Sequence, residues 1–288
     1  MESGYPAVML TAFLLAGAVQ SLSANNYAVE APMPAHSTKL IWSDEFNGSS
    51  LDLKKWSFDT SRNKFGWYNK ELQYYAANRP ENLRLDNGKL MIELRKDPEL
   101  ISKYADWGNQ QYSSAKIVTK GKGSFTTGFV EVSARLPCAR GTWPAIWMLP
   151  EDSSAWPDGG EIDILEQVGS QPNVAHATLH TALFNHTHQN GRGAETAVPT
   201  ACSAFHRYQL AWTADAITIG VDDHAYMRVR NDQPGGRGAW PFDRRFYLIL
   251  NLAMGGDWAA AKGIDDAALP QRFEVDYVRV WKMPKNGR

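Results

Sequence analysis

Short segments in which apolar and polar residues alternate run through this chain from residue 39 onward. In residues 89–95, for example, Leu90, Ile92 and Leu94 occupy every second position. Six further segments have strand-like composition: 125–136, 175–181, 208–212, 217–221, 246–252 and 273–282. A period of two is typical of β-strands, because successive side chains point to opposite faces of a sheet. The pattern predicts an all-β protein of two packed antiparallel sheets, and by itself it leaves a sandwich and a barrel open.

The composition fits one large domain, which we place at residues 39–284. With 288 residues, 43% of them hydrophobic, the chain is able to bury a single large core. Its formal net charge is −1 and it has no run of Lys or Arg, which argues against nucleic acid or a membrane surface as a partner. Eleven Trp and eleven Tyr residues offer faces that stack on sugar rings, although sandwich cores are also rich in aromatic residues. We expect a monomer.

The start of the chain predicts export. Residues 1–24 contain the apolar run and the small residues of a secretory signal peptide, although Glu2 stands where a basic residue is usual. Residues 25–38, which include Pro32 and Pro34, predict an unstructured linker. We therefore expect a secreted or periplasmic protein with no membrane attachment after signal removal. Cys138 and Cys202 lack metal-ligand spacing, and the sequence leaves open whether they pair in an oxidising compartment.

Three carboxylates interrupt an otherwise apolar strand at residues 161–169. In a regular strand Glu161 and Asp163 would share one face and Glu166 would point away. One extra residue, a β-bulge, between Asp163 and Glu166 would bring all three acids onto one face. Such clustering opposes folding because like charges repel, so a chemical role is favoured over a solvated edge strand. Two carboxyls about 5 to 5.5 Å apart are what a retaining glycosidase needs.

The residues around the acids carry a family resemblance. The matching segments are LIWSDEFNG at 40–48, ELQYY at 71–75, GTWPAIWMLP at 141–150, WPDGGEIDILE at 156–166, TLH at 178–180, WPFD at 240–243, LNLAMGG at 250–256 and VDYVRVW at 275–281. In this order they resemble glycoside hydrolase family 16, specifically its laminarinase-like endo-β-1,3-glucanases. The resemblance implies a β-jelly roll, a sandwich of two antiparallel sheets whose concave sheet carries a sugar-binding cleft.

The resemblance also implies roles for the acids. Glu161 would be the nucleophile and Glu166 the general acid/base, with Asp163 between them to bias the protons. His180 would support the acids, although a lone His is more often a structural residue. This chemistry needs no cofactor.

Substrate-binding residues follow from the same motifs. Asn69 resembles a sugar-binding amide, and Trp143, Trp147 and Trp156 would line the cleft, where core packing is the alternative reading. The chain departs from the family pattern at three positions: Tyr68 replaces a usual Gly, Ser133 a common Arg and Thr181 a frequent Tyr.

Many relatives carry a structural calcium that is bound by backbone oxygens and an Asp of the last strand. Glu45, Gly88 and Asp276 occupy the matching positions. Oxygen ligands suit calcium, but an Asp in a strand is often only solvated, so the sequence leaves this site open.

The expected function is retaining, internal hydrolysis of β-1,3-glucan. Hydrolysis of β-1,3-1,4-glucan or of a galactan, and transglycosylation, are the alternatives on the same fold. The extra residue in the acid motif argues against lichenase-type enzymes but not against galactan enzymes. A non-catalytic β-glucan-binding protein is a fourth reading, and the presence of both Glu161 and Glu166 argues against it.

Overall fold

The computed structural model describes residues 27–152 and 154–284. The strands are β1 (Ala28–Pro32), β2 (Leu40–Asp44), β3 (Ser57–Phe58), β4 (Gln73–Tyr75), β5 (Leu83–Asp86), β6 (Lys89–Lys96), β7 (Tyr112–Ser114), β8 (Lys116–Val118), β9 (Ser124–Phe125), β10 (Gly128–Arg135), β11 (Thr142–Pro150), β12 (Glu161–Glu166), β13 (Val174–His180), β14 (Arg192–Ala197), β15 (His206–Trp212), β16 (Ala216–Val221), β17 (His224–Arg230), β18 (Phe246–Met254) and β19 (Gln271–Trp281).

Helices are short throughout the described residues. The α-helices are α1 (Pro98–Ile101) and α2 (Gly256–Ala259), and the 3₁₀ turns are Asn63–Phe65, Tyr68–Lys70, His186–His188, Gly236–Gly238 and Asp266–Ala268. Within these residues no helix has the length and apolarity needed to cross a membrane.

The strands form two sheets, as the alternation predicts. One has eleven strands along the path β1-β17-β16-β15-β10-β19-β6-β7-β4, with β2 on β19 and β5 on β6. The other has eight strands along β14-β13-β12-β11-β18-β8-β3, with β9 on β18. The named pairs are antiparallel apart from β4 with β7. The segment predicted as one strand at 125–136 is divided, because bends at 126–127 carry the chain from β9 in one sheet to β10 in the other.

The two sheets pack through one apolar core. Val130 and Val132 of β10 contribute alternate side chains to it, and Ile162, Ile164 and Leu165 of β12 are fully buried in it. Since one face of each strand is committed to this core, the polar residues of β12 are left on the opposite, outward face of the eight-stranded sheet.

The prediction of an unstructured linker at 25–38 is wrong over Ala28–Pro32. This segment is an edge strand that pairs with β17, where Ala28 faces Met227 and Ala31 faces Ala225. Backbone hydrogen bonds outweigh the proline content, because an edge strand tolerates a residue that donates no N–H. The ordered domain therefore begins at least as early as residue 27. The predicted signal peptide, residues 1–24, lies outside the described residues.

Cys138 and Cys202 form a disulfide with their Cα atoms 5.8 Å apart, which answers the question that the sequence left open. The cross-link joins the end of β10 to the turn at 200–204, where the Leu136 amide also donates to the Ala201 carbonyl at 2.9 Å. Gln167 donates its side-chain amide to the Pro137 carbonyl at 3.0 Å. The disulfide therefore lies beside the end of β12, the strand that carries the acids.

Replacing both cysteines by serine should lower the free energy of unfolding. The bridge spans 64 positions, and a loop of about that length corresponds to about 4 kcal/mol of lost chain entropy in the unfolded state. Urea unfolding of Cys138→Ser/Cys202→Ser against the unmodified protein measures the loss. The unmodified protein in a reducing agent is the matched control, and its urea midpoint should equal that of the double variant. Equal midpoints for the variant and the oxidised protein would contradict this expectation.

Candidate active site

The strand register contains the bulge that the acid spacing predicts. On β13, Thr178 pairs with Asp163 and His176 pairs with Glu166. Two residues of β12 therefore lie opposite the single residue between Thr178 and His176. The register of β12 against β11 shifts at the same point. An extra residue in one strand reverses the facing of every residue beyond it.

The burial of the two inserted positions shows the consequence. Ile164 and Leu165 are consecutive, yet both are fully buried in the core between the sheets. Glu166 therefore returns to the outward face that already carries Glu161 and Asp163. The predicted bulge is confirmed, and the three carboxyls share one surface.

Each glutamate accepts a hydrogen bond from a tryptophan. The indole Nε1 of Trp156 donates to Oε2 of Glu161 at 2.8 Å. The indole Nε1 of Trp143 donates to Oε1 of Glu166 at 3.0 Å. A hydrogen bond to a carboxylate stabilises the charged form, so each tryptophan favours ionisation of its partner.

Asp163 is the most enclosed of the three acids, with 2% of its surface exposed. Its Oδ2 lies 3.4 Å from Nε2 of His180, which is predicted to support the acids. Potential ligand atoms of Glu161, Asp163 and His180 all lie within 4.8 Å of one another. Such a group could hold a divalent cation, but it is equally suited to sharing protons.

Burial raises the pKa of all three carboxyls, because an ionised group loses its hydration. Burial and repulsion by Asp163 raise the pKa of Glu161 to about 8. Burial and repulsion by Glu161 raise the pKa of Glu166 to about 7. Burial and repulsion by Glu166 raise the pKa of Asp163 well above its ordinary value. The cluster therefore retains protons near neutral pH, and these protons belong to the coupled group.

The Glu161 end of the cluster is bordered by aromatic rings. Trp156 is 42% exposed, so much of its ring is free to meet a ligand. Its ring centroid lies 5.9 Å from that of His180 and 5.1 Å from that of His186. Sequence reasoning missed His186, because its loop returns to the site only through the fold.

The Glu166 end has a second aromatic group. Trp143 is 9% exposed and meets Trp258 edge-on with ring centroids 5.2 Å apart. His176 packs against the same Trp258 at 5.0 Å. Sequence reasoning missed Trp258, since it lies in α2, about ninety residues beyond the acids. The stacking role of Trp143 stays a prediction, while its bond to Glu166 gives it a second function.

Trp147 and Asn69 lie farther from the acids. Trp147 is partly buried, and its Nε1 donates to Oδ1 of Asn251 at 2.7 Å. Asn69 is exposed and has a left-handed backbone, with φ of 55°. Gly256 lies between the Asn69 carbonyl and the Trp143 ring. A Cβ placed on Gly256 would lie 2.8 Å from the Asn69 oxygen and 3.4 Å from Cζ3 of Trp143. Asn69 is therefore near Trp143, and its contact with sugar stays a prediction.

Glu71 is a further carboxyl that sequence reasoning quoted only as part of a motif. It accepts a hydrogen bond from Gln73 at 2.8 Å, and burial raises its pKa. Its charge also raises the pKa of Glu166. Two neighbouring carboxyls, Glu71 and Glu161, therefore help Glu166 to keep its proton.

The predicted calcium ligands lie at one junction of the eleven-stranded sheet. Glu45 follows β2, Gly88 lies in the β5–β6 turn and Asp276 lies where the β19 register shifts against β10. The Glu45 carboxylate is occupied by a two-pronged ion pair with Arg279, at 3.0 and 2.8 Å. Asp276 has no hydrogen-bond or ion-pair partner among the described residues. An Asp276 carboxylate joined by backbone oxygens fits a calcium ion, and the site stays a prediction.

A cluster of partly protonated carboxyls on an outward sheet face, bordered by tryptophans, is the arrangement of a glycoside hydrolase. The sequence model of glycosyl hydrolases family 16 matches residues 70–279. The chain is 46% identical over 253 residues to the β-glucanase of Rhodothermus marinus, which covers 85% of each protein. This chain belongs to glycosyl hydrolases family 16.

Solved structures agree in fold. SCLam, a non-specific endo-β-1,3(4)-glucanase of the family, is 49% identical with a TM-score of 0.86, covering 91% of this chain and 98% of that one. The laminarinase of Rhodothermus marinus is 45% identical with a TM-score of 0.80, covering 86% and 98%. The chain is thus a glycoside hydrolase with the jelly-roll sandwich of its family, and the predicted fold class is confirmed.

Replacing each of the two tryptophans by phenylalanine should raise the pKa of a different glutamate. Trp156→Phe removes a donor from Glu161, and Trp143→Phe removes one from Glu166. Losing a hydrogen bond to a charged group, worth about 1.5 to 3 kcal/mol, should raise each pKa by about one to two units. Carbon-13 NMR titration of labelled glutamate side chains measures both. Trp147→Phe is the matched control, because the Trp147 N–H donates to Asn251 and not to an acid, and it should change the pKa of neither glutamate. Unchanged pKa values of Glu161 in Trp156→Phe and of Glu166 in Trp143→Phe would refute the assignment.

Proposed function

We propose that this chain is a retaining endo-glucanase that hydrolyses β-1,3-glucan by double displacement. The observation that carries the proposal is the bulge in β12, which brings Glu161, Asp163 and Glu166 onto one face. Cleavage with retention needs one ionised carboxyl to attack carbon and one protonated carboxyl to give up a proton, close together. The named relatives, a β-glucanase and a laminarinase, support the substrate class.

In the first step, the Glu161 carboxylate attacks the anomeric carbon while Glu166 donates its proton to the departing glycosidic oxygen. Glu166 suits this role, because its pKa of about 7 keeps it protonated in mildly acidic solution. Glycosylation is therefore supported below that pKa and is lost as the pH rises through it. A covalent glycosyl-enzyme ester and a shortened glucan result.

Glu161 has to be ionised to attack, and Asp163 makes this possible. Repulsion by an ionised Asp163 is one cause of the raised pKa of Glu161. When Asp163, the most enclosed acid, holds the retained proton, this repulsion disappears. The Trp156 N–H then stabilises the Glu161 anion. His180 acts through Asp163, against which its ring is placed.

In the second step, Glu166 takes a proton from water, and the resulting hydroxide equivalent attacks the anomeric carbon of the ester. The bond to Glu161 breaks, the product has the β configuration of the bond cleaved, and both glutamates return to their first protonation states. Interception of the ester by a sugar hydroxyl would give transglycosylation. No cofactor takes part in either step.

Mixed-linkage β-1,3-1,4-glucan is the second candidate substrate. SCLam, described as a non-specific endo-β-1,3(4)-glucanase, has 49% identity to this chain and favours it. For substrate binding we propose Trp156 and Trp143 as ring platforms, with Asn69 and Trp147 beside them.

We further propose three properties of the whole protein. It is exported through a signal peptide at residues 1–24, acts outside the cytoplasm as a monomer, and binds calcium through Asp276 with backbone oxygens at Glu45 and Gly88. The Asp276 carboxylate, which has no partner among the described residues, supports the calcium site, and the Cys138–Cys202 disulfide supports an oxidising compartment.

The role of each glutamate is tested by Glu161→Gln and Glu166→Gln. Each should reduce hydrolysis of laminarin by at least about a thousandfold with little change in melting temperature, because the amide neither attacks nor donates an acidic proton. Glu161→Gly with azide should release a glycosyl azide of inverted configuration. Asp163→Asn, which keeps the shape of the side chain, should be less severe. Near-normal turnover by either Gln variant would exclude the assignment.

Stereochemistry and substrate are tested on the unmodified enzyme. Proton NMR of fresh laminarin digests should show the β anomer first, and chromatography should show mixed oligosaccharides before glucose. Parallel digests of lichenan, agarose and carrageenan rank the alternatives. An α anomer first would mean inversion, and glucose alone at the earliest times would mean attack from the chain end.

A further inference from the structure

Exposed aromatic side chains of the described residues occur beside the acid cluster and also on the loop that precedes β4. Among the described residues the large aromatic side chains that are substantially exposed are Phe65, Tyr68, Tyr104 and Trp156. Trp156 donates to Glu161 at one end of the cluster. Phe65 and Tyr68 are the most exposed of the four, at 76% and 65%, and both lie in the loop at residues 61–72.

This loop is fixed against the other end of the cluster. The Leu72 amide donates to the Met254 carbonyl at 2.8 Å, and Glu71 forms a β-bridge with Gly255. Lys70 forms an ion pair with Asp257 of α2 at 2.7 Å. The loop therefore extends the eight-stranded sheet beyond the end of β18.

Two residues, Asn69 and Gly256, connect Tyr68 with Trp143 in the fold. The carbonyl of Asn69, its neighbour in the chain, lies close to Gly256, and Gly256 lies against the Trp143 ring. Trp143 in turn donates to Glu166. Tyr68 thus lies near the Glu166 end of the site, and Phe65 precedes it by three positions in the same loop.

One face of Tyr68 is already occupied. The Arg62 guanidinium lies 4.6 Å from the centre of the Tyr68 ring, and Arg62 is held in turn by a bond from its Nε to the Gly66 carbonyl at 3.1 Å. A cation over one face restrains the ring without covering the other face. A restrained aromatic ring with an open face binds at little entropic cost, and it suits the apolar face of a sugar.

We propose that Tyr68 and Phe65 form an accessory platform that binds glucosyl units of the substrate beyond those next to the acids. The proposal rests on the proposed function, since its occupant is the glucan chain that continues out of the catalytic site. The platform makes long glucans better substrates than short ones.

The test compares polymeric laminarin with laminaritriose, which is too short to reach far beyond the acids. Tyr68→Ala and Phe65→Ala should each lower kcat/KM on the polymer by roughly 3- to 10-fold, the scale of one aromatic contact, mainly through KM. Activity on laminaritriose should stay unchanged. Tyr68→Phe keeps the ring and should retain polymer activity.

Leu53→Ala is the matched control. Leu53 is 54% exposed, and its carbonyl accepts from Lys122 in the turn after β8, at the opposite end of β18 from the platform. It should change neither activity. Melting temperatures confirm that each variant is folded.

The platform is refuted if the alanine variants leave the polymer-to-triose ratio of kcat/KM as it is in the unmodified enzyme, whether both activities fall or neither does. This outcome leaves the proposed function intact. Failure of the unmodified enzyme to cleave any β-glucan refutes the proposed function instead. If mixed-linkage glucan is the better substrate, the same ratio is measured with lichenan and its trisaccharide.

Discussion

Every feature of the site depends on one irregularity in β12. A strand with a strict period of two offers each face only every second residue, and three acids at positions 161, 163 and 166 do not fit that period. The bulge commits Ile164 and Leu165 together to the core, where both are fully buried. Their burial holds Glu166 on the outward face against the repulsion of Glu161 and Asp163. Apolar packing below the sheet thus stabilises an electrostatically unfavourable group above it.

The surroundings of the acids distinguish residues of the same chemical type. All three lose hydration, so all three bind protons more tightly than in water. Asp163 is nearly inaccessible, while each glutamate receives an indole N–H from a different tryptophan. The charge of Glu71, which lies far from Glu166 in sequence, also raises the pKa of Glu166. Different neighbours, and not different side-chain chemistry, therefore distinguish the three carboxyls from one another.

The neighbouring strand places a small side chain opposite Glu166. Ala145 of β11 lies directly across from Glu166, between Trp143 and Trp147 on the same face of the strand. Beyond Ala145 in the same row lies Asn251 of β18, whose amide carbonyl accepts from Trp147. The face beside Glu166 therefore carries the indoles of Trp143 and Trp147 with one methyl group between them.

The sequence by itself determined the class of fold, several of the strands and the acid cluster. Alternation within each segment is a local property, and so is the spacing that requires a bulge between Asp163 and Glu166. The family motifs also follow from the sequence, and with them the class of enzyme. The division of 125–136 between two sheets and the edge strand at Ala28–Pro32 did not follow, because pairing partners distant in the chain decide both.

Only the tertiary structure decided which distant residues complete the site. Trp258, Glu71 and His186 reach it through long-range β pairing and loop packing. No local pattern marks Trp258 or His186, and the matched segment at 71–75 does not show that Glu71 acts on Glu166. The pairing of Cys138 with Cys202 likewise needed two loops to meet across 64 positions. Protonation of the acids was also undecided by the sequence, because a pKa depends on burial and on charges within a few ångströms, and these exist only in the folded chain.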